Sequence, residues 1–388
     1  MNIIILGGGA SGLMLASILK KNHVQADIEI IEKYEHVGKK LLLTGNGRCN
    51  LTNTKITKKC YNLLKGYEIA SSFNTKEYFE SLGLMTTTDN EGRVYPLSMV
   101  SNSVLDILRE SIEGVTIHSS TTIIRITKKE NKFHLTSDKN KIFKADILIM
   151  ATGGRTYYKD SNSYILASML SHRIVPLRPT LTALKVQENL TSIENIRCKV
   201  KAKLLFNHQV IYEDVGEVLF KKDALSGIVI FQLSSIIARD YYQKYKIELD
   251  LLPSMTLKQI VEYLTLHPRM TGLFPKMINQ YIMKQSGNLD LNNLAYTIKH
   301  LTFHVVENMD YKNAQVTAGG VAMDELSNNL ESTIHPNLYF AGEMLDVDGI
   351  CGGYNLQFAF ASADKIALSI LEKLGEKNEK NMGHSICE

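Results

Sequence analysis

Close to the N-terminus, the run "IIILGGGASGLMLASILKKN" (Ile3 to Asn22) leaves few folds open. Ile3 to Leu6 is a continuous apolar stretch, as a strand buried on both faces requires. "GGGASG" follows at once, then a segment with helical periodicity, and then "IEIIEK", a second short strand ending at Glu32. This is a β-turn-α-β unit of about the length such a unit needs. Gly7, Gly9 and Gly12 stand in G-x-G-x-x-G register. In that motif the first glycine allows the tight turn, the second lets a pyrophosphate approach the backbone, and the third permits close helix–strand packing. Glu32 lies at the end of the second strand, where its carboxylate is placed for an adenosine ribose; an acid there disfavours a 2′-phosphate. A lone glycine motif arises by chance, but here strand, helix and acid coincide, so a dinucleotide of the FAD or NAD kind is expected.

The C-terminal region selects between them. "NLYFAGEMLD" reads as a short strand running into Gly342-Glu343, a carboxylate suited to ribityl hydroxyls. Then "DGICGGYNLQFAF" (Asp348 to Phe360) places Gly352-Gly353 at the start of a last helix, from about Tyr354 to Leu374. Free N–H groups and the positive end of a helix suit the electron-rich edge of a reduced flavin. The sequence therefore predicts FAD, with the two glycines bare because the ring lies against them.

Between these ends the chain changes character. "TTIIRIT" and "NKFHLTS" read as a small hairpin or meander, and "ADILIMATGG" (Ala145 to Gly154) repeats the strand-then-glycine pattern. "KVKAKLLF", "QVIYED" and "GEVLF" read as separate short strands, and helices dominate from Leu257 to Leu301. At 388 residues two or three domains are expected. The fold class that results is α/β: a Rossmann-like FAD domain of the glutathione-reductase type, built from both chain ends, with an inserted β-barrel-like domain and a small helical domain. The boundaries expected are 1–184 and 334–388 for the FAD domain, 185–256 and 302–333 for the β-rich insert, and 257–301 for the helical subdomain.

Composition excludes several classes. Hydrophobic residues make up 44% and charged residues 22%, with a net charge of +4. Basic runs stay as short as Lys58-Lys59, Lys128-Lys129 and Lys221-Lys222, so no nucleic-acid partner is expected. The five cysteines form no C-x-x-C pair, and His300, His304 and His335 show no metal-ligand spacing, so neither a disulfide framework nor a metal is expected. No apolar run reaches the length of a membrane span and no basic leader precedes the first strand, which points to a soluble, cytoplasmic protein acting on a small molecule without an obligatory protein partner. No G-x-S-x-G elbow supports hydrolase chemistry.

Long stretches of the chain carry a resemblance. "GGGASGLMLA", "GKKLLLTGNGRCNLTN", "GRVYP", "ATGG", "GEVLF…LSG", "VTAGGV" and "LYFAGEMLDVDGICGGYNLQFAFASA" resemble bacterial NAD(P)/FAD-dependent oxidoreductases, the aminoacetone-oxidase-family FAD-binding enzymes, related to the bile-acid enone reductases. The resemblance implies that Gly7, Gly9, Ser11, Gly12 and Glu32 hold the ADP half of FAD, and that Lys33 and Ala151, Thr152 and Gly153 of "ATGG" also bind the cofactor. It also implies that Lys40, Arg48, Asn50 and Asn53 line the flavin side, and that Gly342, Glu343, Asp346, Gly353 and Asn355 bind the ribityl and pyrimidine portions. The chain departs from the family in the glycine-poor "RTYYKDSNSY", in Lys221-Lys222 where relatives carry Thr-His, and in Cys351 where they often carry Thr.

With FAD supplying the chemistry, few acid–base residues need appear. Arg48 and Cys351 are the two catalytic candidates by position, each balanced by a bland alternative: a salt bridge for Arg48, a spacer for Cys351. Cys49 reads as a small side chain packed under the cofactor loop. No second G-x-G-x-x-G occurs in 155–335, so NAD(P)H is expected to dock transiently as hydride donor to flavin N5, with an electron-poor C=C or C=N bond as acceptor. An amine or alcohol oxidase using dioxygen ranks second; a tRNA-modifying flavoprotein and a non-catalytic flavin sensor rank well behind.

Overall fold

The computed structural model describes residues 1–156, 163–240, 244–287 and 290–384, with side chains of the last helix described to residue 375. Most of the glycine-poor segment after "ATGG", and Cys387, lie outside the described residues. Two compact units are present: 1–177 with 316–388, and 178–315.

The first unit is built on a five-stranded parallel sheet. Strand β1 (Asn2–Leu6) lies at its centre, followed by helix α1 (Ala10–Lys21) and strand β2 (Asp27–Ile31). Across the sheet the order is Leu338–Phe340, Ile147–Met150, β1, β2 and Thr116–His118. Ile4 pairs with Leu148 on one side and Glu29 on the other, and Met150 pairs with Phe340. The C-terminal segment thus completes an N-terminal sheet, as the strand signals at both ends predict. Ile3, Ile4 and Ile5 are fully buried, which explains why β1 shows no polar alternation. The last helix, Tyr354–His384, starts where expected. Two small antiparallel sheets complete the unit: Thr52–Asn53, Arg93–Pro96 and Thr86–Thr88 in one, and the meander Ile123–Lys129, Lys132–Ser137 and Ile142–Ala145 in the other.

The second unit is a closed six-stranded barrel with helices. Its strand order is Leu184–Val186, Ala224–Ser226, Gln209–Phe220, Arg197–Phe206, Tyr245–Asp250 and Leu301–Asn308, closed by the pairing of Leu184 with Asn308. Alternation along Arg197–Phe206 sends Val200, Ala202 and Leu204 inward, fully buried, and Lys199, Lys201 and Lys203 outward. "QVIYED" and "GEVLF" are one strand, not two. Gly216 reads as a break, yet it sits mid-ladder opposite Val200, where an added Cβ would meet Val229 at 3.1 Å.

Two domain boundaries need correction. Residues 257–301 do not form a separate subdomain: Ile260, Leu264, Ile278, Ile282, Leu294 and Ile298 share one core with the barrel strands. Residues 316–333 belong with the first unit. There the Ala322 N–H donates to the Arg173 carbonyl (3.0 Å), the Asp346 N–H donates to the Val321 carbonyl (3.0 Å), and Leu326 and Leu330 join the first core.

Candidate cofactor site

The three fingerprint glycines are bare for different reasons. Gly7 adopts φ +112°, and a Cβ on it would lie 2.5 Å from the Ala151 carbonyl oxygen of the neighbouring strand. A Cβ on Gly12 would lie 2.0 Å from the Gly7 oxygen. Gly9 differs: its φ of −85° is open to any residue and an added Cβ would meet nothing within 4 Å. It is the N-cap of α1, with no side-chain cap on the helix N–H groups. A glycine that neither backbone conformation nor protein packing requires, at an uncapped helix start, fits a pyrophosphate lying against the main chain.

Glu32 is fixed beside it. Its Oε2 accepts from the Gly8 N–H at 2.8 Å and its Oε1 from the Tyr34 N–H at 2.9 Å, while its own N–H donates to the His118 carbonyl. Lys33 stands over the Tyr34 ring. The Ala151 N–H donates to the Leu6 carbonyl, and the Thr152 hydroxyl to the Met344 sulfur. Gly153 has φ +70° and open space where a Cβ would stand. The Ser11 Oγ lies 2.8 Å from the Cβ position of Gly342, whose N–H donates to the Ser362 hydroxyl. The residues expected around the ADP half therefore gather at one end of the parallel sheet.

The flavin-side residues form a second cluster. Asn50 is 8% exposed and its Oδ1 has no partner among the described residues. That buried oxygen is a ready acceptor for a ligand N–H, and leaving it unmade is costly. Asn53 is a clamp: its Nδ2 donates to the Gly352 carbonyl at 3.0 Å and its Oδ1 accepts from the Lys55 N–H. Asn355 bonds both the N–H and the carbonyl of Gly349, each at 2.8 Å. Asp346 is 9% exposed, and its carbonyl accepts from the Asn62 side chain.

The reason for the glycine pair needs correction. Gly352 and Gly353 adopt φ +128° and +97°, and a Cβ on Gly353 would stand 2.6 Å from the Thr52 carbonyl oxygen. Main-chain conformation and the adjacent strand demand glycine there whatever ligand is bound.

Glu343 also differs from the expectation of a carboxylate directed only at a ribityl chain. It pairs with Lys40 and accepts the Thr317 N–H at 2.9 Å, with the Thr156 hydroxyl on the same lysine. Thr317 and Thr156 were not predicted; Thr317 lies inside "VTAGGV", one of the stretches carrying the resemblance. Arg48 is exposed, over the Tyr95 ring at 5.6 Å. The loop that carries it holds Gly45, Asn46, Gly47 and Cys49 at positive φ, a conformation no periodicity signals.

Burial disfavours the thiolate at both Cys49 and Cys351. Burial pushes the Cys49 thiol up to about 12 against a weaker pull from Thr44, and Cys49 is fully buried. Cys351 is only half-buried as a residue, yet burial around its thiol pushes it up to about 12 as well. A thiol so raised is a poor nucleophile. Two of the histidines are engaged: His300 faces Glu248 at 3.0 Å and His304 faces Glu188 at 2.7 Å. No helix among the described residues is long and apolar enough to cross a membrane.

Comparison with known proteins agrees with this geometry. Residues 1–368 match the family described as "HI0933-like protein Rossmann domain". The chain is 34% identical to a 3-dehydro-bile acid delta(4,6)-reductase of Clostridium scindens, covering 92% of this chain and 96% of that protein. It is 25% identical to a ribosomal RNA dihydrouridine synthase of Haemophilus influenzae (95% and 98% covered) and 25% identical to one of Escherichia coli (93% and 95%). Among solved structures, the Escherichia coli quinol fumarate reductase subunit FrdA aligns with a TM-score of 0.48 at 12% identity, over 96% of this chain and 70% of that one. With the family model spanning residues 1–368 and the 34% identity holding over nearly the whole length, the chain belongs to the HI0933-like family of FAD-binding Rossmann flavoproteins and is an FAD-dependent oxidoreductase.

Proposed function

We propose that this protein is a reductase that saturates a C=C bond conjugated to a carbonyl, on a small-molecule substrate, with NAD(P)H as electron donor. The observation that carries the reading is the 34% identity, over nearly the full length of both chains, to an enzyme named for a delta(4,6) reduction. Bound FAD supplies two-electron hydride chemistry. The chain's own residues hold and orient it: the N-terminal N–H groups of α1 and Glu32 hold the ADP half, and Asn50 offers an acceptor on the ring side. Lys40 and Glu343 form an ion pair of little net charge near the ribityl path.

The barrel exterior supports a small-molecule substrate. Three of its lysines face acids, Lys201 with Glu213 at 2.8 Å, Lys203 with Glu248 at 2.7 Å and Lys185 with Glu307 at 2.6 Å, which offsets their charge. A second reading places the same bond reduction on a uracil of ribosomal RNA. It is favoured by the two dihydrouridine synthases, matched over 93% or more of this chain.

Anaerobic titration of the FAD-loaded protein with NADH and with NADPH, followed at the visible flavin bands, tests the donor. Bleaching by either is expected. Adding a 3-oxo-delta(4,6) bile acid should restore the bands, whereas restoration only by an unmodified ribosomal RNA transcript would favour the second reading. Bands that persist with both nucleotides, and bleach instead with an amine and recover in air with peroxide, would overturn the reductase in favour of an oxidase.

A further inference from the structure

The small sheet formed by Thr86–Thr88 and Arg93–Pro96 carries one face beside Arg48. Thr87 pairs with Tyr95, the Leu97 N–H donates to the Met85 carbonyl, and the Asp89 N–H donates to the Arg93 carbonyl. Strand alternation then puts Met85, Thr87 and Asp89 on the same side as Leu97, Tyr95 and Arg93. That face grades along its length. At one end Met85 and Leu97 are exposed by 68% and 56%; at the other, Asp89 and Arg93 are joined at 2.7 Å. Arg48 lies over the Tyr95 ring between them. Arg48, Thr87, Arg93, Tyr95 and Met99 line a cavity of about 310 Å³.

The charges in this cavity are unequal. Asp89 is occupied, accepting from the Arg93 side chain and from the N–H groups of Glu91 and Arg93. The Arg48 side chain meets no acid: among the described residues it makes no ion pair, and the one hydrogen bond of its guanidinium is a long contact of 3.4 Å to the Gly45 carbonyl. The hydroxyls of Thr87 and Tyr95 also make no hydrogen bond among the described residues. An unpaired guanidinium, two free hydroxyls and an exposed apolar strip on one continuous face call for a ligand with both an acidic group and an apolar body.

We propose that this face binds an amphiphilic carboxylate, its acid on Arg48 with the Thr87 and Tyr95 hydroxyls, its apolar body along Met99, Leu97 and Met85. This rests on the reductase reading only in making such a molecule the substrate; the binding itself stands apart from turnover. The test is calorimetric titration of the FAD-loaded protein with decanoate, decanol and inorganic phosphate, checking FAD content and circular dichroism of each variant. Decanoate is expected to bind, and Arg48→Ala to weaken it roughly 10- to 100-fold, the range of one charge-assisted hydrogen-bonded contact. Leu97→Glu is expected to weaken decanoate as well, by removing apolar surface and adding a like charge. Decanol or phosphate binding as tightly as decanoate would overturn the proposal, as would unchanged decanoate affinity in both variants. Decanoate binding without reduction of any enone would sink the reductase reading and leave the site standing.

Discussion

Gly9 carries the sharpest consequence of any single residue. Neither its φ nor any neighbour within 4 Å requires glycine, so Gly9→Val should fold with a melting temperature close to that of FAD-free wild type. The branched side chain would fill the space where the pyrophosphate lies. Protein purified from this variant is expected to be colourless; wild-type flavin absorbance in it would remove the fingerprint from the site. The cysteines yield a pH-dependent prediction. Cys49 has its thiol pushed from 9.0 up to about 12 by burial, so the folded chain keeps a proton that the unfolded chain loses. The unfolded state therefore binds fewer protons between pH 9 and 12, and the stability contributed by the neutral thiol, full below pH 9, declines across that window. Thermal melts should show the decline, and Cys49→Ala should reduce it. Iodoacetamide at pH 8 should leave Cys49 unlabelled in the native protein and label it in denaturant, as read by mass spectrometry.

At the scale of elements, the start of the last helix shows why some predictions hold for the wrong reason. The glycine pair is visible in the sequence and marks the helix start correctly. Its cause, a Cβ of Gly353 meeting the Thr52 oxygen at 2.6 Å, joins residues about 300 apart, and no local pattern reports that. Gly353→Ala would have to hold φ near +97° and push the strand aside. A cost of about 2 kcal/mol or more follows from the left-handed conformation and the close contact together, measured as a lower denaturant midpoint. An unchanged midpoint would show that the loop relaxes freely. The β1-α1-β2 unit was legible because its signals are local: an apolar run, a glycine register and an acid at a fixed offset. Glu343 was legible as a site residue but not in its partners. The Lys40 ammonium and Thr317 N–H that engage it come from distant segments brought together only by the sheet.

At the scale of the molecule, the same contrast of local and distant signals separates the two units. The parallel sheet could be read from both ends of the chain, because each buried strand is a short apolar run. The barrel could be read only as short strands in sequence. Its closure depends on pairing Leu184–Val186 with Leu301–Asn308 across more than a hundred residues, and its helices contribute to the same core rather than to one of their own. Residues 178–315 are continuous in the chain and carry a separate core, whereas the unit that carries the glycine fingerprint needs both ends of the chain to complete its sheet. The excised segment 178–315 is therefore expected to fold alone, with dispersed amide resonances and a cooperative melt, and to bind no flavin. The fingerprint glycines and Glu32 lie in the first unit, and a ligand raises stability only where it binds the folded form. Calorimetry of the full chain should then resolve a transition whose midpoint rises with added FAD and another that matches the excised segment and stays fixed. A single transition moving as a whole with FAD would mean that the units unfold as one, and the excised segment would then be expected to melt well below the intact protein.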